Sequence, residues 1–69
     1  MASGYQLLKL GRAIKGLTQK EVAKHCGVSV ATYQMWERGK SAIRFETMIN
    51  LCENLFHIEI EELQRISSL

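Results

Sequence analysis

Few of these 69 residues have the types or spacing that bond-making chemistry needs. His25 and Cys26 are adjacent, and neighbours on a helix do not face one another, so they cannot work as a nucleophile–base pair. Two cysteines (Cys26, Cys52) and two histidines (His25, His57) show no finger-type ligand spacing. No glycine-rich phosphate loop, paired carboxylates or Ser/Cys–His constellation stands out. No enzyme activity, cofactor or metal is therefore expected. Both cysteines read as small buried hydrophobes rather than a disulfide.

The chemistry that remains is recognition of charge. Residues 1–44 hold eight cations (Lys9, Arg12, Lys15, Lys20, Lys24, Arg38, Lys40, Arg44) against Glu21 and Glu37, a net of +6. Residues 45–69 hold Arg65 against Glu46, Glu53, Glu59, Glu61 and Glu62, a net of −4. The formal total of +2 conceals this split. A basic half suits a phosphate-facing surface, with the acidic half turned away.

Two short helices lie inside the basic half. Thr18 with Glu21 three residues later forms a capping box, and Leu17 with Val22 can form a hydrophobic staple. The pattern predicts a helix over Gln19–His25, with Val22, Ala23 and Cys26 on one side, closed by Gly27. Ser29 is an N-cap for a second helix over about Val30–Arg38, closed by Gly39. Tyr33 and Trp36 are three apart and share a face. Small Ala23 lets the two helices approach closely near the turn. Such a pair, joined by a glycine turn, is what places a helix in the major groove.

The rest of the chain builds a frame. A first helix is predicted over Tyr5–Lys15, with Leu7, Leu10 and Ile14 on one face and Gly16 as its stop. Gly11 inside it costs about 1 kcal/mol relative to alanine and points to close packing against another helix. Lys40–Arg44 reads as a basic loop. A fourth helix is predicted over Phe45–Leu55, with Phe45, Met48, Ile49, Cys52 and Leu55 facing the core. Phe56–Ile58 reads as a connector, with Phe56 in the core. A fifth helix over Ile60–Ser67 uses Ile60, Leu63 and Ile66. Glu61 and Glu62 sit at its start, where the helix dipole favours negative charge. The expected fold is all-α: one domain over residues 1–69, about five short helices around one core, the helix-turn-helix spanning about 18–39. An apolar fraction of 46% is enough for such a core and too high for a disordered chain. No apolar run of about 18 residues is present, and Met1–Gln6 lacks a leader pattern, so no membrane span and a cytoplasmic location are expected.

The residues Gly16-Leu17-Thr18-Gln19, Glu21, Ala23, Gly27-Val28-Ser29, Thr32, Trp36-Glu37-Arg38-Gly39-Lys40 and Glu46-Thr47 give the chain a specific resemblance. It resembles the Xre/Cro/lambda-repressor-like helix-turn-helix family over about Leu7–Leu63. The resemblance implies a compact lambda-repressor-like DNA-binding domain and a double-stranded DNA partner. It implies a homodimer on an inverted repeat, with repression the common mode. It places Gln19 at a phosphate, and adds phosphate contacts from Lys40, Ser41 and Arg44, with Arg38 beside them. Val30, Ala31, Gln34 and Met35 fall on the outward face of the recognition helix, with Ser29 and Thr32 near the DNA backbone. Tyr33 and Trp36 match buried positions, and Arg12 with Glu37 matches a structural pair.

The chain departs from many relatives in two places. Three of its four base-reading positions are apolar, so Gln34 is the one good polar reader, suited to adenine, while valine and alanine suit a thymine methyl. The segment Leu55-Phe56-His57-Ile58-Glu59-Ile60 is one residue longer than the usual connector and lies near where relatives dimerise. Two other readings stay open at this point: a protein-interaction module using the apolar helix face, and the DNA-binding part of a larger sensor regulator.

Overall fold

Helix boundaries in the computed structural model, which describes residues 2–69, fall where side chains or glycines satisfy the free ends of the backbone. α1 spans Gly4–Lys15, one residue longer than predicted, because the Ser3 N–H donates to Gln6 Oε1 at 2.9 Å in a capping box. Gly16, at φ 65°, ends it. α2 spans Gln19–Cys26. Its expected capping box is present: the Glu21 N–H donates to Thr18 Oγ1 at 3.0 Å and the Thr18 N–H to Glu21 Oε1 at 2.8 Å. These bonds hold the Glu21 carboxyl below its ordinary range, the backbone bond from Thr18 most of all. α3 spans Val30–Glu37, with Ser29 Oγ accepting from the Thr32 N–H at 3.1 Å. Gly27 and Gly39 close α2 and α3 at φ 71° and 70°, a region that glycine enters without strain.

α4 spans Phe45–Leu51, and α5 spans Ile60–Ser67. The predicted fourth helix does not run to Leu55 as one α-helix. Cys52–Phe56 forms a π-helical turn, and His57 follows at φ 55°. A π turn accommodates one extra residue within a continuing helix. Phe56 belongs to this turn rather than to a connector. Only residues 57–59 link it to α5.

The core consists of Leu7, Leu8, Val22, Ala23, Tyr33, Met48, Leu51, Cys52, Phe56 and Leu63. Two predicted faces need correction. On α1 the buried face is Leu7, Leu8 and Gly11, while Leu10 packs at its margin and Ile14 is exposed. The stripe is turned because α1 must offer Gly11 to Phe56. On α4, Met48, Leu51 and adjoining Cys52 are buried, Leu55 packs at the edge, Ile49 is half-buried, and Phe45 is 67% exposed. Phe45 is the first residue of its helix, and side chains tilt toward the helix start, so this ring projects past the edge of the core. On α5 Leu63 is buried, with Ile60 packed beside it. α1 lies across α3, α5 and the π turn, and α2 packs on α3. Among the described residues no helix is long and apolar enough to cross a membrane.

Gly11 decides how near α1 comes to the π turn. A Cβ at that position would sit 2.6 Å from Phe56 Cδ2 and 2.7 Å from Cε2. In an open helix Gly→Ala stabilises by about 1 kcal/mol. Here Gly11→Ala should destabilise by about 1–3 kcal/mol, because overpacking outweighs propensity. Urea denaturation of the two proteins measures the sign directly.

Candidate nucleic-acid interface

Glu37, the last residue of α3, is the one buried charged side chain among the described residues, at 6% exposure. Every donor it needs arrives from a different part of the frame. Arg12 of α1 donates Nε to Oε2 at 2.6 Å and Nη2 to Oε1 at 3.1 Å. Tyr33, one turn earlier on α3, donates its hydroxyl to Oε2 at 2.5 Å. Gln19, the first residue of α2, donates Nε2 to Oε1 at 3.0 Å. Arg12 Nη1 also donates to the Leu17 carbonyl at 3.1 Å, tying the α1–α2 link to the same cluster.

Burial pushes the Glu37 carboxyl up, but the bonds from Arg12, Tyr33 and Gln19 outweigh it and hold the group below its ordinary range. The bond to Glu37 raises the Arg12 guanidinium in turn. Desolvation, with the Glu37 bond second, drives the Tyr33 phenol far upward. The cluster is therefore a fixed ion pair with a neutral tyrosine, and it sets the angle at which α3 leaves the frame. Arg12 and Glu37, matched to a pair by the resemblance, are bonded to each other. The roles of Gln19 and the Tyr33 hydroxyl in it carried no such signal.

On the outer side of α3, Ala31, Thr32 and Met35 are exposed, while Val30 is half-buried and packs against the core. Gln34 is half-buried and donates Nε2 to Gln19 Oε1 at 3.1 Å. Gln19 and Gln34 thus meet each other, and Gln19 is half-buried rather than free at the surface. Ser29 is exposed, and its hydroxyl donates to Thr32 Oγ1 at 3.1 Å while accepting the capping bond. Trp36 is half-buried, edge-on to Tyr33 with ring centroids 6.1 Å apart, and so belongs to the frame.

Beyond α3 the chain turns back on itself. The Lys40 N–H donates to the Met35 carbonyl at 2.9 Å and the Ser41 N–H reaches it at 3.4 Å, so the turn is fastened to α3. The side chains of Arg38, Lys40 and Ser41 remain exposed. Arg44 immediately precedes α4 without a side-chain capping bond, and it pairs with Glu46 at 3.1 Å, both well exposed. Tyr5 was not foreseen: its ring lies against Gly39, where a Cβ would be 3.1 Å from Cδ1. The positive φ of Gly39 is visible from its place after a helix, but its contact with a residue on α1 is not. Glu53, Glu59 and Glu61 line an open cleft with Ile49, His57 and Ile60, and no α3 residue lines it.

A family model described as helix-turn-helix matches residues 8–67. No curated protein and no solved structure matches the chain.

The Glu37 cluster has a pH signature. In the wild type, Glu37 binds its proton less readily folded than unfolded, so its stabilisation is full above the ordinary value of 4.5 and is lost as pH falls through the lower folded value. Arg12→Leu leaves a buried carboxylate short of its countercharge and should cost about 3 kcal/mol at pH 7. Losing the Arg12 bond, the first of the interactions that lower the Glu37 carboxyl, leaves it higher in the folded variant than in the folded wild type, so the variant loses less stability as pH falls. The stability gap between the two proteins should therefore narrow as pH falls from neutrality toward about 4. Denaturant midpoints measured across that range test this.

Proposed function

The chain belongs to the Xre/lambda-repressor-like helix-turn-helix family, and from that premise we propose that it is a sequence-specific, double-stranded DNA-binding transcriptional regulator. It acts in the cytoplasm as a repressor, a homodimer on an inverted-repeat operator. The helix-turn-helix domain supports DNA-binding regulation in general terms. The carrying observation is the surface of α3: an exposed row of Ala31, Thr32 and Met35 around Gln34, followed by the exposed cations Arg38 and Lys40.

An α-helix with its side chains is about 10–12 Å across, which suits a major groove about 12 Å wide. In this reading Val30, Ala31, Gln34 and Met35 face bases. Ser29, Thr32, Gln19, Arg38, Lys40, Ser41 and Arg44 face the sugar–phosphate backbone and fix register. The fastening of the Lys40–Ser41 turn to Met35 supports that division, since it holds phosphate-binding and base-reading groups at a set separation. Two copies would read half-sites about 34–36 Å apart.

A protein-interaction module is the second reading, favoured by the apolar character of Val30, Ala31 and Met35. The two readings separate by salt. DNA binding should weaken steeply with ionic strength as counterions are released. Selection from random duplexes should enrich a palindrome, and footprinting should locate it. Lys40→Ala should weaken all duplexes alike and reduce the salt slope by about one, whereas Gln34→Ala should relax preference at one base position. A chain that binds no duplex even at low salt is the interaction module.

A further inference from the structure

The amides running from Glu37 to Gln34 have a direction. Glu37 is a carboxylate and only accepts, so the side chain meeting its Oε1 must present nitrogen; Gln19 places Nε2 there at 3.0 Å. The carbonyl of the same amide then faces Gln34, which must answer with a donor, and does so with Nε2 at 3.1 Å. A free glutamine exchanges amide oxygen and nitrogen readily, because that torsion is soft and two-fold. Inverting Gln19 here would set a carbonyl against the carboxylate. Inverting Gln34 would set carbonyl against carbonyl. Glu37 has no freedom to adjust, with Arg12 and Tyr33 on Oε2 and Arg12 again on Oε1. The chain of bonds ends at Gln34 Oε1, which accepts from no described protein group. No buried side-chain oxygen among the described residues lacks a partner, so this atom reaches solvent.

We propose that Glu37 and Gln19 are positioning residues that fix the polarity of the Gln34 amide, so that Gln34 Oε1 reads a base amino group. The inference rests on the DNA-binding reading above. In the major groove only adenine N6 and cytosine N4 are amino donors, while guanine O6 and thymine O4 accept. Adenine takes precedence over cytosine: the second hydrogen on Gln34 Nε2 can meet adenine N7 while Oε1 accepts from N6. The neighbouring reading positions are apolar, so this one amide carries the polar part of the discrimination.

Gln19→Met keeps the length of the side chain and removes both polar ends. In selection from random duplexes the wild type should enrich adenine at one position of each half-site. Gln19→Met should lower that preference about tenfold, beyond any uniform loss of affinity. Uniform loss with base preference unchanged would make Gln19 a backbone contact alone and overturn the proposal. Glu37→Gln supplies the reverse arm: a carboxamide can offer nitrogen to Gln19, invert the series, and raise guanine or thymine at that position. An adenine preference that survives in folded Glu37→Gln counts against the relay. Side-chain amide NMR of the free protein decides the case where that variant does not fold. Gln34 Nε2 protons should be shifted and slow to exchange in the wild type, and return to free-amide values in Gln19→Met. Free-amide values in the wild type would overturn the relay whatever the protein binds. A protected Gln34 amide in a chain that enriches no duplex would instead sink the DNA-binding reading on which the inference stands.

Discussion

The structure depends on one buried carboxylate. Glu37 sits at the end of α3 with four donor contacts converging on it from α1, α2 and α3 itself. An isolated buried charge would cost several kcal/mol, so the site is tolerable only while every donor is in place. That condition makes the cluster a geometric lock. Three short helices, none long enough to be stable alone, must adopt one mutual arrangement to satisfy it. Apolar burial would allow some sliding among helices this short. Hydrogen bonds to a single carboxylate allow much less.

The other constraint acts on a neighbouring face of α1. Phe56 needs depth, and Gly11 supplies it by having no side chain where the ring lies. Phe56 arrives there because the end of the fourth helix widens into a π turn. α1 is thus held at two points along its length, by Gly11 on Phe56 and by Arg12 on Glu37. These are consecutive residues facing different neighbours. The first joins α1 to the acidic half of the chain and the second to the basic half. The division of charge seen in the sequence therefore corresponds to a division of labour around a single helix.

Features encoded by local chemistry were legible in the sequence. The Thr18–Glu21 box, the Ser29 cap and the glycines at 16, 27 and 39 each act within a few residues, so spacing reveals them. The Ser3–Gln6 box is equally local and was there to be read; it accounts for the earlier start of α1. The misplacements have a common cause in the path of the chain. Periodicity placed Ile14 and Phe45 inward, but a helical face says nothing about where the core ends along the helix. Both residues lie beyond that edge. The π turn was not legible, because no residue type marks where a helix will widen. In the candidate site, the Arg12–Glu37 pair came from resemblance, while the Gln34–Gln19–Glu37 series joins residues 15 and 18 apart. Many other glutamine and glutamate pairings share such separations, and three-dimensional structure alone selects this one.

On the proposed reading, stability and recognition share atoms in this protein. Many proteins place functional groups on loops held by a separate rigid scaffold, so that function can change with little structural cost. Here the carboxylate that locks the helices is also the origin of the amide series that ends at Gln34 on α3. Substitution of Arg12, Tyr33 or Glu37 acts on both properties together. The residues free to vary independently are those outside the series, above all Ala31 and Met35, which are exposed and bond to nothing through their side chains. Their apolar character suits that position. A methyl or thioether group can follow the surface of a groove without competing for Gln19 or Gln34, whereas a long polar side chain at either place could capture one of those amides and break the polarity that the buried charge imposes.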